Sequence, residues 1–85
     1  MFIAANDLSL MKEYLTKSLA LWRAGNFKNN EAMTLTMLGE ATEKLGEKQQ
    51  AIDRYSEAQT IWKALNEQSR VAELKTRIAR LTEKQ

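Results

Sequence analysis

The sequence predicts an all-α fold of about four helices, and three observations carry that reading. Apolar residues recur three or four positions apart in four successive segments, and no segment alternates as a half-buried strand would. The 85-residue chain contains no proline, the residue that most sharply ends or kinks a helix. The chain also aligns with itself at a shift of 40 residues, as a repeated helix pair does. Apolar residues make up 44 % and charged residues 28 %, the balance of a folded chain rather than a disordered one. The length is that of one domain with a modest core.

The first helix is expected over about 8–24, with Asp7 as N-cap, because a carboxylate there can accept a free backbone N–H. Leu8, Met11, Leu15, Leu19 and Trp22 form one stripe, and Leu10, Tyr14 and Leu21 form a second beside it. This helix is therefore apolar over half its circumference and calls for more than one neighbour. Gly25 is expected to supply the left-handed residue that closes it. The second helix is expected over about 31–45, capped by Asn29 or Asn30, with Ala32, Leu35, Leu38, Gly39, Thr42 and Leu45 on one face and Gly46 ending it. The third runs over about 48–65, with Ala51, Ile52, Tyr55, Ala58, Ile61, Trp62 and Leu65 inward, and Asn66 closes it. The fourth begins near Ser69 and runs to about 83, with the stripe Val71, Leu74, Ile78 and Leu81. Connections of a few residues make consecutive helices antiparallel neighbours.

At the 40-residue shift, eight of 34 aligned positions are identical, where chance in this composition gives about two or three. They are Trp22/Trp62, Ala24/Ala64, Asn26/Asn66, Ala32/Ala72, Thr36/Thr76, Thr42/Thr82, Glu43/Glu83 and Lys44/Lys84. The first helix thus corresponds to the third and the second to the fourth. Gly39, inside the second helix, costs about 1 kcal/mol against alanine on propensity alone. Its reason is tertiary: helices approach to about 8–10 Å only where side chains are small. Gly39, Ala51 and Ala58 are the expected contact points, with Tyr55 as the large knob between them. Small core residues also occur in an ordinary four-helix bundle, but a bundle has no need of a 40-residue repeat.

These residues resemble the tetratricopeptide (TPR) repeat. Ala32, Leu35, Leu38 and Gly39 match the pattern of its first helix, and Ala51, Tyr55 and Ala58 that of its second. Thr42 stands where the family usually has tyrosine, and Lys63 where it usually has proline. The missing proline and the 40-residue period resemble the longer variant found in kinesin light chains, polarity scaffolds and many bacterial signalling proteins. The match covers one full repeat, 31–65, with a half-repeat on either side. It implies a right-handed α-solenoid fragment in which the first helix of each repeat lines a concave, partner-binding groove.

Projected onto this chain, the groove is lined by Met33, Thr36, Met37, Glu40, Glu43 and Lys44 on the second helix and by Glu73, Thr76, Arg77, Arg80 and Lys84 on the fourth. Met33 and Met37 lie one turn apart and off the core stripe. Methionine adapts to apolar peptide segments; the alternative is that they cover a neighbouring helix in a dimer or lie on a plain surface. Arg77, Arg80 and Lys84 form a basic face suited to an acidic partner, or a solvated face near a helix C-terminus. Some family members clamp a peptide's terminal carboxylate with lysines and asparagines; Met33, Met37 and Glu40 occupy those positions here and do not make that clamp. Trp22 and Trp62 read as packing residues between repeats rather than as ligand sites.

Composition argues against other functions. Without histidine or cysteine there is no thiolate site, no disulfide and no histidine base. Asp53 and Glu57 are one turn apart, a common spacing on exposed helices, and neither a phosphate loop nor a calcium-loop spacing occurs. No enzyme activity, cofactor or metal is expected. The net charge of +2 sits wholly in residues 43–85, too weak a bias for a nucleic-acid binder. No run is long enough to cross a membrane, and the opening "MFIAAND" lacks the basic and apolar regions of a signal peptide, so a cytoplasmic setting is expected. Two half-repeats flanking one whole repeat leave both ends unfinished: the first helix by its second stripe and the arm "MFIAA", the fourth by a leucine stripe with no following helix. The expectation is a homodimer that covers these faces, or a piece of a longer array. The function expected is a protein–protein interaction or scaffold module, the alternative a structural self-association element.

Overall fold

The computed structural model describes residues 5–83, and they form four helices: α1 (Ala5–Ala24), α2 (Lys28–Lys44), α3 (Lys48–Ala64) and α4 (Gln68–Glu83). The fold is all-α. Among the described residues the backbones of the helices pack against their neighbours in chain order, α1 on α2, α2 on α3 and α3 on α4, with the α2–α3 seam the most extensive. Among the described residues α1 never meets α4, so the row of helices is open rather than closed into a bundle.

The three turns are copies of one another, 20 residues apart. Asn26, Gly46 and Asn66 take φ of 62°, 81° and 64°, the left-handed conformation. In each turn the next amide reaches back over the helix end: Phe27 N–H donates to Trp22 O, Glu47 N–H to Thr42 O and Glu67 N–H to Trp62 O, all at 2.9 Å. This double-backed closure satisfies carbonyls that the helix leaves free. The left-handed residue after α1 is thus Asn26, not Gly25; asparagine tolerates that conformation because its short amide costs little there.

The same turn moves the helix starts. Only three residues separate the helices, so α2 begins at Lys28 with Phe27 at the N-cap position, and α3 begins after Glu47, neither with a side-chain cap. Asn29 and Asn30 lie inside α2, and Ser69 lies inside α4. Asp7 is likewise a first-turn residue of α1 rather than its cap, where its charge still complements the helix dipole.

Leu15, Leu19, Ala32, Leu35, Leu38, Ala51, Tyr55, Ala58, Trp62, Leu74 and Leu81 make one buried cluster, with Ile52, Ile61, Val71 and Ile78 packed on it. Each fully buried leucine contributes about 2 kcal/mol of transfer free energy. At the centre, Gly39 faces the Tyr55 ring: a methyl group on Gly39 would lie 2.5 Å from Cδ1 and 3.0 Å from Cζ. The mid-helix glycine therefore exists to admit this ring. Thr42, where the repeat pattern has tyrosine, is buried and returns its hydroxyl to Leu38 O at 2.9 Å and Gly39 O at 3.0 Å.

The two ends differ from expectation in opposite ways. The α4 stripe is not left open: it faces α3, with Leu74 and Leu81 buried, and the outward face of α4 is polar or small. α1 buries Leu8, Leu15 and Leu19, but Met11 is 40 % exposed and Leu10, Tyr14 and Leu21 stand fully outward. A helix with one packing partner covers only one stripe, so the second remains bare. Leu65, expected inward, follows the end of α3 and is exposed, and Leu45 caps α2 half-buried. The arm at residues 1–4 lies outside the described residues.

Candidate functional site

Of the expected groove residues, Glu40 and Glu43 of α2 reach Arg77 and Arg80 of α4, because both helices pack on α3. Glu40 accepts a hydrogen bond from Arg77 Nη1 at 2.9 Å, and Glu43 lies 3.5 Å from Arg80 Nη2. Arg77 also lies 3.5 Å from Glu73 of its own helix. Glu40, Arg77, Glu43 and Arg80 thus form a ladder between α2 and α4.

The ladder rests on the core. The Tyr55 hydroxyl donates to Glu43 Oε1 at 2.7 Å, and the Arg77 guanidinium stands over the Tyr55 ring, 5.6 Å from its centroid, in cation–π range. Burial, and then the hydrogen bond to anionic Glu43, push the Tyr55 phenol up to about 12. Arg77 is held still more firmly in its charged form, chiefly by the hydrogen bond to Glu40. Its charge is thus spoken for by two carboxylates, whereas the more exposed Arg80 has, among the described residues, a single and longer pairing.

Met33 and Met37 keep 47 % and 46 % of their surface in solvent, on the α2 face that also presents Glu40 and Lys44. Thr36 turns its hydroxyl to Ala32 O at 2.9 Å and Thr76 its own to Ala72 O at 3.1 Å, so neither hydroxyl points free into the groove. Lys84 lies outside the described residues. The packing positions Leu35, Leu38, Gly39, Ala51, Tyr55 and Ala58 are all buried.

The repeat-matched tryptophans close the ends of α1 and α3. Trp62 is buried under the Arg70 guanidinium, 4.7 Å from the ring centroid. Trp22 is half-buried and meets Phe27 edge-on, 5.8 Å between centroids. Each is thus covered by the start of the next helix.

A second charged cluster, not foreshadowed by the helical spacing, lies on the α1–α3 side. Arg23 Nε donates to Glu31 at 3.0 Å and its Nη2 to Glu57 at 3.3 Å, while Lys28 and Arg54 pair with the same two acids at 3.4 Å and 2.8 Å. Glu31 is buried in the first turn of α2. The alternation Arg23, Glu31, Glu57 was visible in sequence, but the spacing of eight and 26 residues has no helical meaning until the turns are closed. Glu57 is thereby committed to two arginines, and Asp53 accepts from Gln49 at 3.2 Å. Among the described residues no cluster of three or more metal-ligating side chains occurs, and no helix is long and apolar enough to cross a membrane.

Comparison with protein-family models, with curated proteins and with solved structures finds no match for the chain.

Proposed function

We propose that the chain is a protein–protein interaction or scaffold module that binds a peptide or helix over the surface shared by α2 and α4. The observation that carries this reading is the pair Met33 and Met37: half-exposed, one turn apart and outside the core, on the face from which Glu40 and Glu43 reach α4. Two adaptable apolar side chains beside a charged ladder suit an apolar anchor flanked by polar contacts. Arg77 is already neutralised, so an acidic group on the partner would engage Arg80. The open row of antiparallel helices and its 40-residue period support a TPR-like, right-handed solenoid fragment, and we assign the module to the cytoplasm, without a catalytic role. A peptide library selected against the protein tests this: Met37→Glu is expected to abolish binding of selected peptides and leave folding unchanged. Binding that survives both Met33→Glu and Met37→Glu would remove the groove reading.

A second reading, structural self-association as a homodimer, draws on a different observation, the uncovered apolar stripe of α1.

A further inference from the structure

The outer face of α1 is not merely apolar; its pattern is complementary to itself. Leu10, Tyr14, Lys17 and Leu21 recur at spacings of four, three and four, the alternation of a coiled-coil seam. Leu10, Tyr14 and Leu21 are 62 %, 73 % and 70 % exposed, and Leu8, Leu15 and Leu19 on the opposite side are buried in the core. The stripe therefore faces directly away from the rest of the molecule. It contains one charge, Lys17, whose contact to Glu13 on the same helix is a loose 3.7 Å.

We propose that this stripe is the seam of an antiparallel homodimer, in which α1 pairs with α1 of a second copy about a two-fold axis between Tyr14 and Lys17. The proposal rests on the self-association reading and not on the groove. In that register Leu10 faces Leu21 of the second copy, and Tyr14 faces Lys17 of the second copy. Every stripe residue meets a suitable partner: leucine meets leucine twice, and each lysine lays its stem and ammonium on a tyrosine ring. The axis falls near the middle of α1, so the two helices overlap along almost their whole length.

The single charge decides the orientation. A parallel pairing would set Lys17 against Lys17 in the centre of an apolar seam, a like-charge contact that specific interfaces avoid. The antiparallel pairing removes it and makes an isologous contact, which closes at two copies. Charge beside the stripe agrees: Asp7 and Glu13 flank it toward one end and Lys17 lies toward the other, while Lys12 and Arg23 point to the core side, where they pair with Glu47 and with Glu31 and Glu57. The stripe runs from Leu10 to Leu21, about three turns of helix along which two copies can pair. At the other end of the row the outward face of α4 is polar or small, so it offers no second seam of this kind.

Sedimentation equilibrium of the whole chain across the micromolar range is expected to show a dimer. Tyr14→Arg sets a second cation against Lys17 of the facing copy and is expected to weaken the dimer about a hundredfold, whereas Lys17→Leu should tighten it about tenfold. Both sites are exposed, and circular dichroism melts check that the variants stay folded. Orientation is read by cross-linking, since the chain has no cysteine. An equimolar mixture of Leu10→Cys and Leu21→Cys proteins should form disulfide-linked pairs, and neither variant should do so alone. A protein that stays monomeric overturns both the seam and the self-association reading. A dimer in which either cysteine variant cross-links alone, or one indifferent to both Tyr14→Arg and Lys17→Leu, overturns the seam and leaves self-association standing.

Discussion

Tyr14 and Tyr55, the two tyrosines of the chain, stand at opposite extremes of burial. Tyr55 on α3 is fully enclosed: its ring fits against Gly39 of α2, its hydroxyl bonds Glu43, and Arg77 of α4 covers its face. Tyr14 on α1 is 73 % exposed, between Leu10 and Leu21 on a face with no helix opposite it. Both sit mid-helix in apolar stripes, so residue type and periodicity treat them alike. The difference lies in what faces them. α2 offers a residue with no side chain, and the ring enters; α1 lies at the edge of the row, and among the described residues nothing stands opposite its outer ring.

The largest effect should come from emptying the enclosed site. Tyr55→Ala is expected to lower the unfolding free energy by about 4 kcal/mol through lost burial and the cavity left behind, read as a shift of the urea midpoint. Tyr14→Ala should move that midpoint very little in dilute protein, and similar losses at the two sites would erase the contrast.

Next in size is alkaline pH. Folding favours the protonated Tyr55 phenol, whose pKa rises from 10.0 to about 12. The associated stability is fully present below the ordinary value of 10 and disappears as pH climbs through about 12, a loss of about 2–3 kcal/mol. In a Tyr14→Phe protein the ultraviolet ionisation of Tyr55 should have its midpoint near 12, and a midpoint near 10 would mean that the ring is not enclosed. The double variant with Tyr55→Phe provides the pH baseline for the other groups.

Smaller still, and more discriminating, is a pair of glycine substitutions. A methyl on Gly39 would lie 2.5 Å from Tyr55 Cδ1, and a methyl on Gly25 would lie 2.5 Å from Phe27 Cε2. The overlaps match, but the neighbours do not. Tyr55 is locked in the core, so Gly39→Ala should cost about 2 kcal/mol despite its better helix propensity. Phe27 is 56 % exposed and can swing aside, so Gly25→Ala should stay within about 0.5 kcal/mol of the parent. Thermal melts of the two variants, side by side, measure whether a clash is set by distance or by the freedom of what is struck.

Much of the fold was legible in sequence, and the reasons are local. Four helices, their inward stripes and the 40-residue correspondence follow from spacing, and so did the meeting of Gly39 with Tyr55. Asn66 and Gly46 were readable as helix-ending residues because asparagine and glycine tolerate positive φ. The same logic misassigned the turn after α1, where Gly25 and Asn26 are adjacent candidates and only the register of the closing hydrogen bonds chooses Asn26. Asparagine and serine also suggested N-caps, but a three-residue turn leaves no room for Asn29, Asn30 or Ser69 outside the helix.

For the candidate site, the face of α2 bearing Met33 and Met37 could be projected from helical spacing. The pairing of Arg77 with Glu40 and of Arg80 with Glu43 could not, since residues 37 apart meet only after α3 has set the offset between α2 and α4. The sequence by itself determined which residues are helical and which side of each helix is apolar, because both depend on a chain's own repeat of about 3.6 residues per turn. Tertiary structure decided which apolar stripes find a neighbour. The α4 stripe is covered by α3 and the second α1 stripe is not, because a helix at the edge of an open row has one neighbour and can bury one face.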